Sequence, residues 1–153
     1  MNPVTFREAT QDDLAAIIAL LADDELGRKR ERVETPPADC YVKAFEAISA
    51  DPNQQVVVAV QDGAVVGTMQ LTFLPGLSRQ GQWRGQIEAV RVAAGQRGEG
   101  LGRRMMEWAI EQCRARGCGL VQLTSDKSRH DAHRFYDNLG FVASHEGYKL
   151  TLS

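Results

Sequence analysis

Two periods of hydrophobicity alternate along this chain, one of about 3.6 residues and one of about 2, and the points where they switch mark out its elements. Val4 to Ala9 alternates enough for a short strand. Thr10 then caps a helix with Asp12 and Asp13 in its first turn, where carboxylates meet the positive end of the helix dipole. Leu14, Ile17, Ile18 and Leu21 follow at helical spacing and give that helix one core face. Asp23 to Thr35 is charged and mixed, either a helix extension or a loop. Pro36 and Pro37 are tolerated only in a first helical turn, so a second helix is expected from there to about Ala50, with Tyr41, Ala44, Phe45 and Ile48 on one side.

Asp51-Pro52-Asn53 ends that helix, and Gln55 to Gln61 is β-branched and apolar enough for a strand. Asp62-Gly63 is the strongest short hairpin signal in the chain and links it to a strand from Ala64 to Phe73, in which Gly67 marks a bulge or a close backbone approach. Pro75 to Gly85 reads as a loop with an exposed Trp83, and Ile87 to Ala94 as the next strand. A glycine-rich turn then opens into a long helix, Leu101 to Arg116, with Leu101, Met105, Trp108, Ala109 and Gln112 facing inward. Leu120 to Thr124 is a strand, and Arg129 to Leu139 a helix stopped at Gly140. Phe141 to Ser144 and Tyr148 to Leu152 suit a final hairpin. Hairpin-linked strands followed by two helix-linked ones predict an α/β fold with a mixed sheet, parallel around the glycine turn.

That turn, Arg97-Gly98-Glu99-Gly100-Leu101-Gly102, is the first candidate for chemistry. Glycines at alternate positions let successive backbone N–H groups point into one concavity beside a helix N-terminus, which is an anion cradle or an ordinary tight connection. A P-loop would need Gly-Lys-Ser/Thr, and here Gly102 is followed by Arg103 and Arg104. A dinucleotide fingerprint needs Gly-x-Gly-x-x-Gly on the first strand-helix unit, whereas this run lies late in the chain.

Arg97, Gly100 and Gly102 do match Arg/Gln-x-x-Gly-x-Gly/Ala, and the run resembles the acyl-CoA pyrophosphate loop of the GNAT superfamily of N-acetyltransferases. Ile87-Glu88-x-Val90-x-Val92 resembles the family's fourth strand. Ala132-His133-Arg134-Phe135-Tyr136-x-x-x-Gly140-Phe141 resembles its later Ala-x-x-Phe-Tyr-x-x-x-Gly-Phe segment. Arg129 to Tyr136 with Ser144-His145 is also similar to the equivalent region of aminoalkylphosphonate acetyltransferases. The resemblance implies a single domain over residues 1–153 with a splayed central sheet flanked by helices. It further implies acetyl-CoA as cosubstrate, a small-molecule amine as acceptor, and a homodimer. In it, the backbone of Val90, Arg91 and Val92 pairs with the pantetheine arm, a backbone N–H there polarises the thioester carbonyl, and Arg97, Gly98, Glu99, Gly100, Leu101, Gly102 and Arg103 surround the pyrophosphate. Phe135 and Arg129 lie against the coenzyme, Arg129 standing where many members carry Asn.

Acetyl transfer to an amine requires a neutral nucleophile and a proton for the departing thiolate. Glu88 is the candidate base, since a partly desolvated carboxylate has its pKa moved towards the useful range; the alternative is an exposed strand residue or a partner for Arg91. Strand parity puts Glu88, Val90 and Val92 on one face and Ala89, Arg91 and Ala93 on the other. Tyr136 is the candidate acid, because a phenol matches a thiol in pKa; the alternative is a half-buried aromatic. His130 and His133 lack a clear third ligand, so no metal is expected, and His145 serves either the acceptor or an exposed turn.

Composition narrows the classes further. At 153 residues, 43% hydrophobic and 25% charged, the chain has the make-up of one globular domain with no membrane span. A formal charge of −2 supplies no global field for nucleic acid or membrane. Cys40, Cys113 and Cys118 are odd in number and without a C-x-x-C pair, which argues against a disulfide framework or zinc site. With no secretory signal at the start, a cytoplasmic protein is expected. A protein lysine or N-terminal acetyltransferase, or a non-catalytic acyl-CoA sensor, is the alternative reading.

Overall fold

Strands β1 (Thr5–Glu8), β2 (Gln54–Gln61), β3 (Ala64–Leu74), β4 (Arg84–Val92) and β5 (Leu120–Gln122) form one mixed sheet whose spatial order follows the chain. The computed structural model describes residues 2–153, which fall into two compact units, one up to Gln122 and the other Leu123–Ser153. β1 to β4 pair antiparallel, and β4 pairs parallel with β5, which returns through a helix. At the β2–β3 hairpin Asp62 and Gly63 both take positive φ, 52° and 76°, as its two-residue turn requires.

In the first unit helices α1 (Leu14–Ala22), α2 (Glu25–Arg30), α3 (Asp39–Ala50) and α4 (Leu101–Ala115) accompany the sheet. Before α1 the chain makes a 3-10 turn, Gln11–Asp13. The Asp13 carboxylate accepts from the Thr10 N–H at 2.7 Å and from both terminal nitrogens of Arg7, at 2.7 and 3.0 Å. The charged stretch after α1 splits into the short helix α2, where the Asp24 carboxylate accepts from the Gly27 N–H at 2.5 Å, and a loop. The next helix begins at Asp39 rather than at the prolines, because Ala38 is still extended. Within 75–85, Arg79, Gln80 and Gly81 form a left-handed turn with φ of 55°, 60° and 74°, and Trp83 is half-buried.

Register assigns the two faces of the sheet, since directly paired residues point the same way. One face carries Met69, Leu71, Phe73 and Ile87, all essentially buried, with Phe73 opposite Gly85 and Leu71 opposite Ile87. Here α4 lies against the strands so closely that a Cβ on Gly85 would fall 2.2 Å from Cys113 Sγ, and one on Gly67 2.8 Å from Met105 Sδ. Gly67 therefore serves close approach, and the neighbouring register shift at Ala59/Val60 supplies a bulge beside it. The buried side of α4 is Leu101, Met105, Met106, Ala109 and Cys113. Met106 and Cys113 take the places expected of Trp108 and Gln112, because the i, i+4 row from Leu101 runs through Cys113; Trp108 instead flanks the Phe6 ring, 5.7 Å between centroids. The opposite face carries Thr68, Gln70, Gln86 and Glu88, and α1 and α3 cover its β2–β3 side through Leu14, Ile18 and Phe45, packed with Tyr41 and Val56.

The second unit holds helix α5 (His130–Asn138). Its end is a Schellman cap: Gly140 adopts φ 95°, the Phe141 N–H donates to the Tyr136 carbonyl at 3.1 Å, and the Gly140 N–H to that of Asp137 at 3.0 Å. The expected final hairpin is not formed, since no strand occurs among described residues after β5. Val142, Tyr148, Leu150 and Leu152, the apolar residues of its two segments that are exposed, leave no covered apolar face to hold a ladder. No helix among the described residues is long and apolar enough to cross a membrane.

Candidate active site

The C-terminal half of β4 is where the sheet opens. β5 pairs only with Arg84, Gly85 and Gln86, so beyond Gln86 the β5-facing edge of β4 has no strand partner in the described sheet. On the other side of β4, Gln70 pairs with Glu88 and Thr68 with Arg91, so β4 carries one extra residue there. The bulge lies at Ala89, whose φ of 53° is left-handed and uncommon for a residue with a Cβ. The parity expected from a regular strand therefore fails. Glu88 and Arg91 share a face, and Val92, opposite Gly67, points to the α4 side.

Glu88 is exposed rather than partly desolvated. Its Oε1 accepts from Gln86 Nε2 at 2.7 Å, and Gln86 Oε1 in turn accepts from Gln122 Nε2 at 2.9 Å, a chain that fixes the carboxylate's orientation across the β4–β5 pair. Gln86 lies two residues before Glu88, so period 2 alone places both on one face, whereas Gln122 joins them only through the β4–β5 pairing. Arg91 is largely buried. It pairs through Nε with Asp24 at 3.4 Å and donates to the Val90 carbonyl at 3.0 Å, so its side chain ties β4 to the start of α2.

The glycine run leads from β4, through a 3-10 turn (Ala94–Gln96), into α4. Arg97, Gly98, Glu99 and Gly100 are all exposed. Gly98 and Gly100 take φ of 83° and 79°, and a Cβ at either would meet nothing within 4 Å, so the glycines serve conformation and an open approach rather than packing. The first helical bond of α4 is that of the Arg104 N–H to the Gly100 carbonyl, 3.1 Å, which leaves the N–H groups of Leu101, Gly102 and Arg103 directed out of the helix start. An anion fits there. Arg97 reaches Asp23, at 3.7 Å from its carboxylate, across exposed surface. Arg103 pairs with Glu107 along the helix at 2.9 Å. Arg104 lies over the Phe6 ring at 5.8 Å.

In the second unit, the Phe-Tyr-x-x-x-Gly-Phe motif has a local physical cause. Tyr136 and Phe141 are the two positions that a Schellman cap brings together, and their rings meet edge to face at 5.9 Å. Phe135 packs on Tyr136 at 5.3 Å, and both are half-buried. Arg129 caps the start of α5, its carbonyl accepting the His133 N–H at 3.1 Å. The His133 ring bonds the Asp126 carbonyl at 2.8 Å. Among the described residues no three His, Cys, Asp or Glu side chains form a metal-binding group.

A strand that loses its partner just before a glycine-rich helix start suits the splayed sheet that the resemblance implied, and residues 15–141 match the model of the Acetyltransferase (GNAT) family. The chain belongs to the GNAT family. It is 32% identical over 142 residues to the aminoalkylphosphonate N-acetyltransferase of Salmonella typhimurium, covering 91% of this chain and 85% of that one. Over 90 residues, 59% of each chain, it is 36% identical to the glucosamine 6-phosphate N-acetyltransferase of Trypanosoma brucei brucei. A crystal structure described as a transcriptional regulator from Bacillus halodurans C-125 superposes with a TM-score of 0.95 at 51% identity, covering 98% of this chain and all of that one. GNAT proteins are acetyl-CoA-dependent acyltransferases, and the mixed sheet flanked by helices is their fold.

Proposed function

We propose that this protein transfers the acetyl group of acetyl-CoA to the primary amine of a small molecule, by direct attack in a ternary complex. The observation that carries the reading is the unpartnered β4 edge beyond Gln86, with the Glu88 carboxylate exposed on that strand and the open glycine loop at its end. When bound, the cosubstrate supplies an acetyl group already activated as a thioester. The backbone from Gly98 to Arg103, with Arg97, would hold its pyrophosphate, because positive φ at Gly98 and Gly100 leaves the approach open and the helix start presents unpaired N–H groups. The free edge of β4 along Val90, Arg91 and Val92 would receive the pantetheine arm as a sheet edge receives an added strand, the Val90 carbonyl exchanging the Arg91 side chain for the coenzyme as its donor. By the family resemblance, Arg129 and Phe135 would also contact the coenzyme.

Glu88 then takes a proton from the acceptor ammonium, directly or through water, with Gln86 holding the carboxylate in place. The Tyr136 hydroxyl gives a proton to the departing sulfur. Free coenzyme A, measured with the purified protein against a panel of amines, tests the reading. Amine-dependent release supports it. Coenzyme binding with no release for any amine would favour a sensor, and release only with peptides would favour a protein acetyltransferase.

A further inference from the structure

Between α1, α3 and the sheet lies a cavity of about 140 Å³, walled by Leu14 and Ile17 of α1 and by Phe45 and Ile48 of α3, with Gln70 and Ala89 at its floor. Gln70 pairs directly with Glu88 across the β3–β4 ladder, so the cavity opens beside the carboxylate proposed to deprotonate the acceptor. Its walls are apolar, and no Lys, Arg or His lines it. Of the polar groups at its border, the Tyr41 hydroxyl donates to Glu31 at 2.7 Å, Thr68 Oγ1 to the Val57 carbonyl at 3.0 Å, and one N–H of Gln70 Nε2 to Gln54 at 3.3 Å.

We propose that this cavity is the acceptor's side-chain subsite and that the amine carries a compact uncharged apolar group, a branched alkyl chain or a phenyl ring. This rests on the acetyl-transfer reading above. An apolar cavity of about 150 Å³ accepts a benzene-sized guest. A phosphonate or phosphate entering it would lose its hydration with no cation and at most one amide N–H of Gln70 in return. The acceptor class thus differs from those in the names of the Salmonella and Trypanosoma relatives.

The test is kcat/KM for the full chain with acetyl-CoA across propylamine, isoamylamine and phenethylamine, against 2-aminoethylphosphonate and glucosamine 6-phosphate. Each methylene that enters the cavity should raise kcat/KM about fourfold. Ala44, a cavity residue exposed on α3, provides the variant, since Ala44→Phe adds bulk to the cavity's lining from a position that is not itself buried. It should lower kcat/KM for phenethylamine at least tenfold while coenzyme A affinity and melting temperature hold. Faster turnover of either anionic amine, indifference to Ala44→Phe, or an Ala44→Phe effect that follows acyl-chain length instead of the amine would overturn the subsite. Calorimetric titration with phenethylamine separates the two readings. Binding that Ala44→Phe abolishes, without acetyl transfer, keeps the subsite and removes the catalytic role; neither binding nor transfer removes both.

Discussion

Replacing Gly100 with aspartate isolates the role of the glycine loop. Gly100 sits at φ 79°, and a Cβ there meets no atom within 4 Å, so the substitution carries a conformational cost without a steric one. A left-handed residue with a Cβ costs about 1–2 kcal/mol, and a carboxylate at a helix N-terminus returns about 0.3–1 kcal/mol. The variant should therefore fold, with its stability lowered by at most about 1.7 kcal/mol. Its effect on the coenzyme is larger. A carboxylate about 5 Å from one phosphate charge is repelled by about 0.8 kcal/mol at the dielectric of water and by about 3 kcal/mol at an effective dielectric of about 20. Coenzyme A binding should weaken by between about 4-fold and about 200-fold. Gly100→Ala carries the backbone cost without the charge and should stay within about threefold of the parent. Calorimetric titration at low and high salt separates the terms, since raised salt should shrink the gap between the Asp and Ala variants. Equal affinity of Gly100→Asp and the parent, or an equal loss in both variants that salt leaves unchanged, would refute the anion-cradle assignment.

Tyr136→Phe removes one hydroxyl while keeping the ring that packs on Phe135 and Phe141, so kcat should fall about 10²- to 10⁴-fold with coenzyme affinity intact; unchanged turnover would exclude it as the acid. Asp13 titrates below the ordinary carboxylate value of 3.8, chiefly because Arg7 donates to it, so its stabilisation is complete above that value and is lost as pH falls through the lowered one. Thermal melts of Asp13→Asn should accordingly lie below the parent at neutral pH and converge with it in strong acid. Desolvation, and then the neighbouring Cys118, push the Cys113 thiol up to about 11, whereas Cys40 is exposed. Mass-resolved alkylation of the native protein at pH 8 should label Cys40 first and Cys113 last, and the order should collapse in denaturant.

What the sequence determined by itself was local. Asp62-Gly63 announced a hairpin because few residue pairs adopt two positive φ angles in succession. The glycines between an apolar strand and an amphipathic helix announced an open helix start, and Tyr136 to Phe141 announced a helix end whose cap follows from Gly140. Each of these depends on residues within one or two turns of chain. The tertiary structure alone decided the features that depend on competition among distant partners. The bulge at Ala89 exists because β4 carries one more residue than β3 between paired positions, and it moved Arg91 onto the face of Glu88 against simple parity. Arg104 turned to Phe6, and Met106 and Cys113 displaced Trp108 and Gln112 from the core, because β1 and Gly85 set where α4 could lie. The alternation in Tyr148, Leu150 and Leu152 promised a strand, but a period of two specifies only which side chains would share a face. A strand also needs a neighbour to bond and a surface to cover, and neither is encoded within the segment itself.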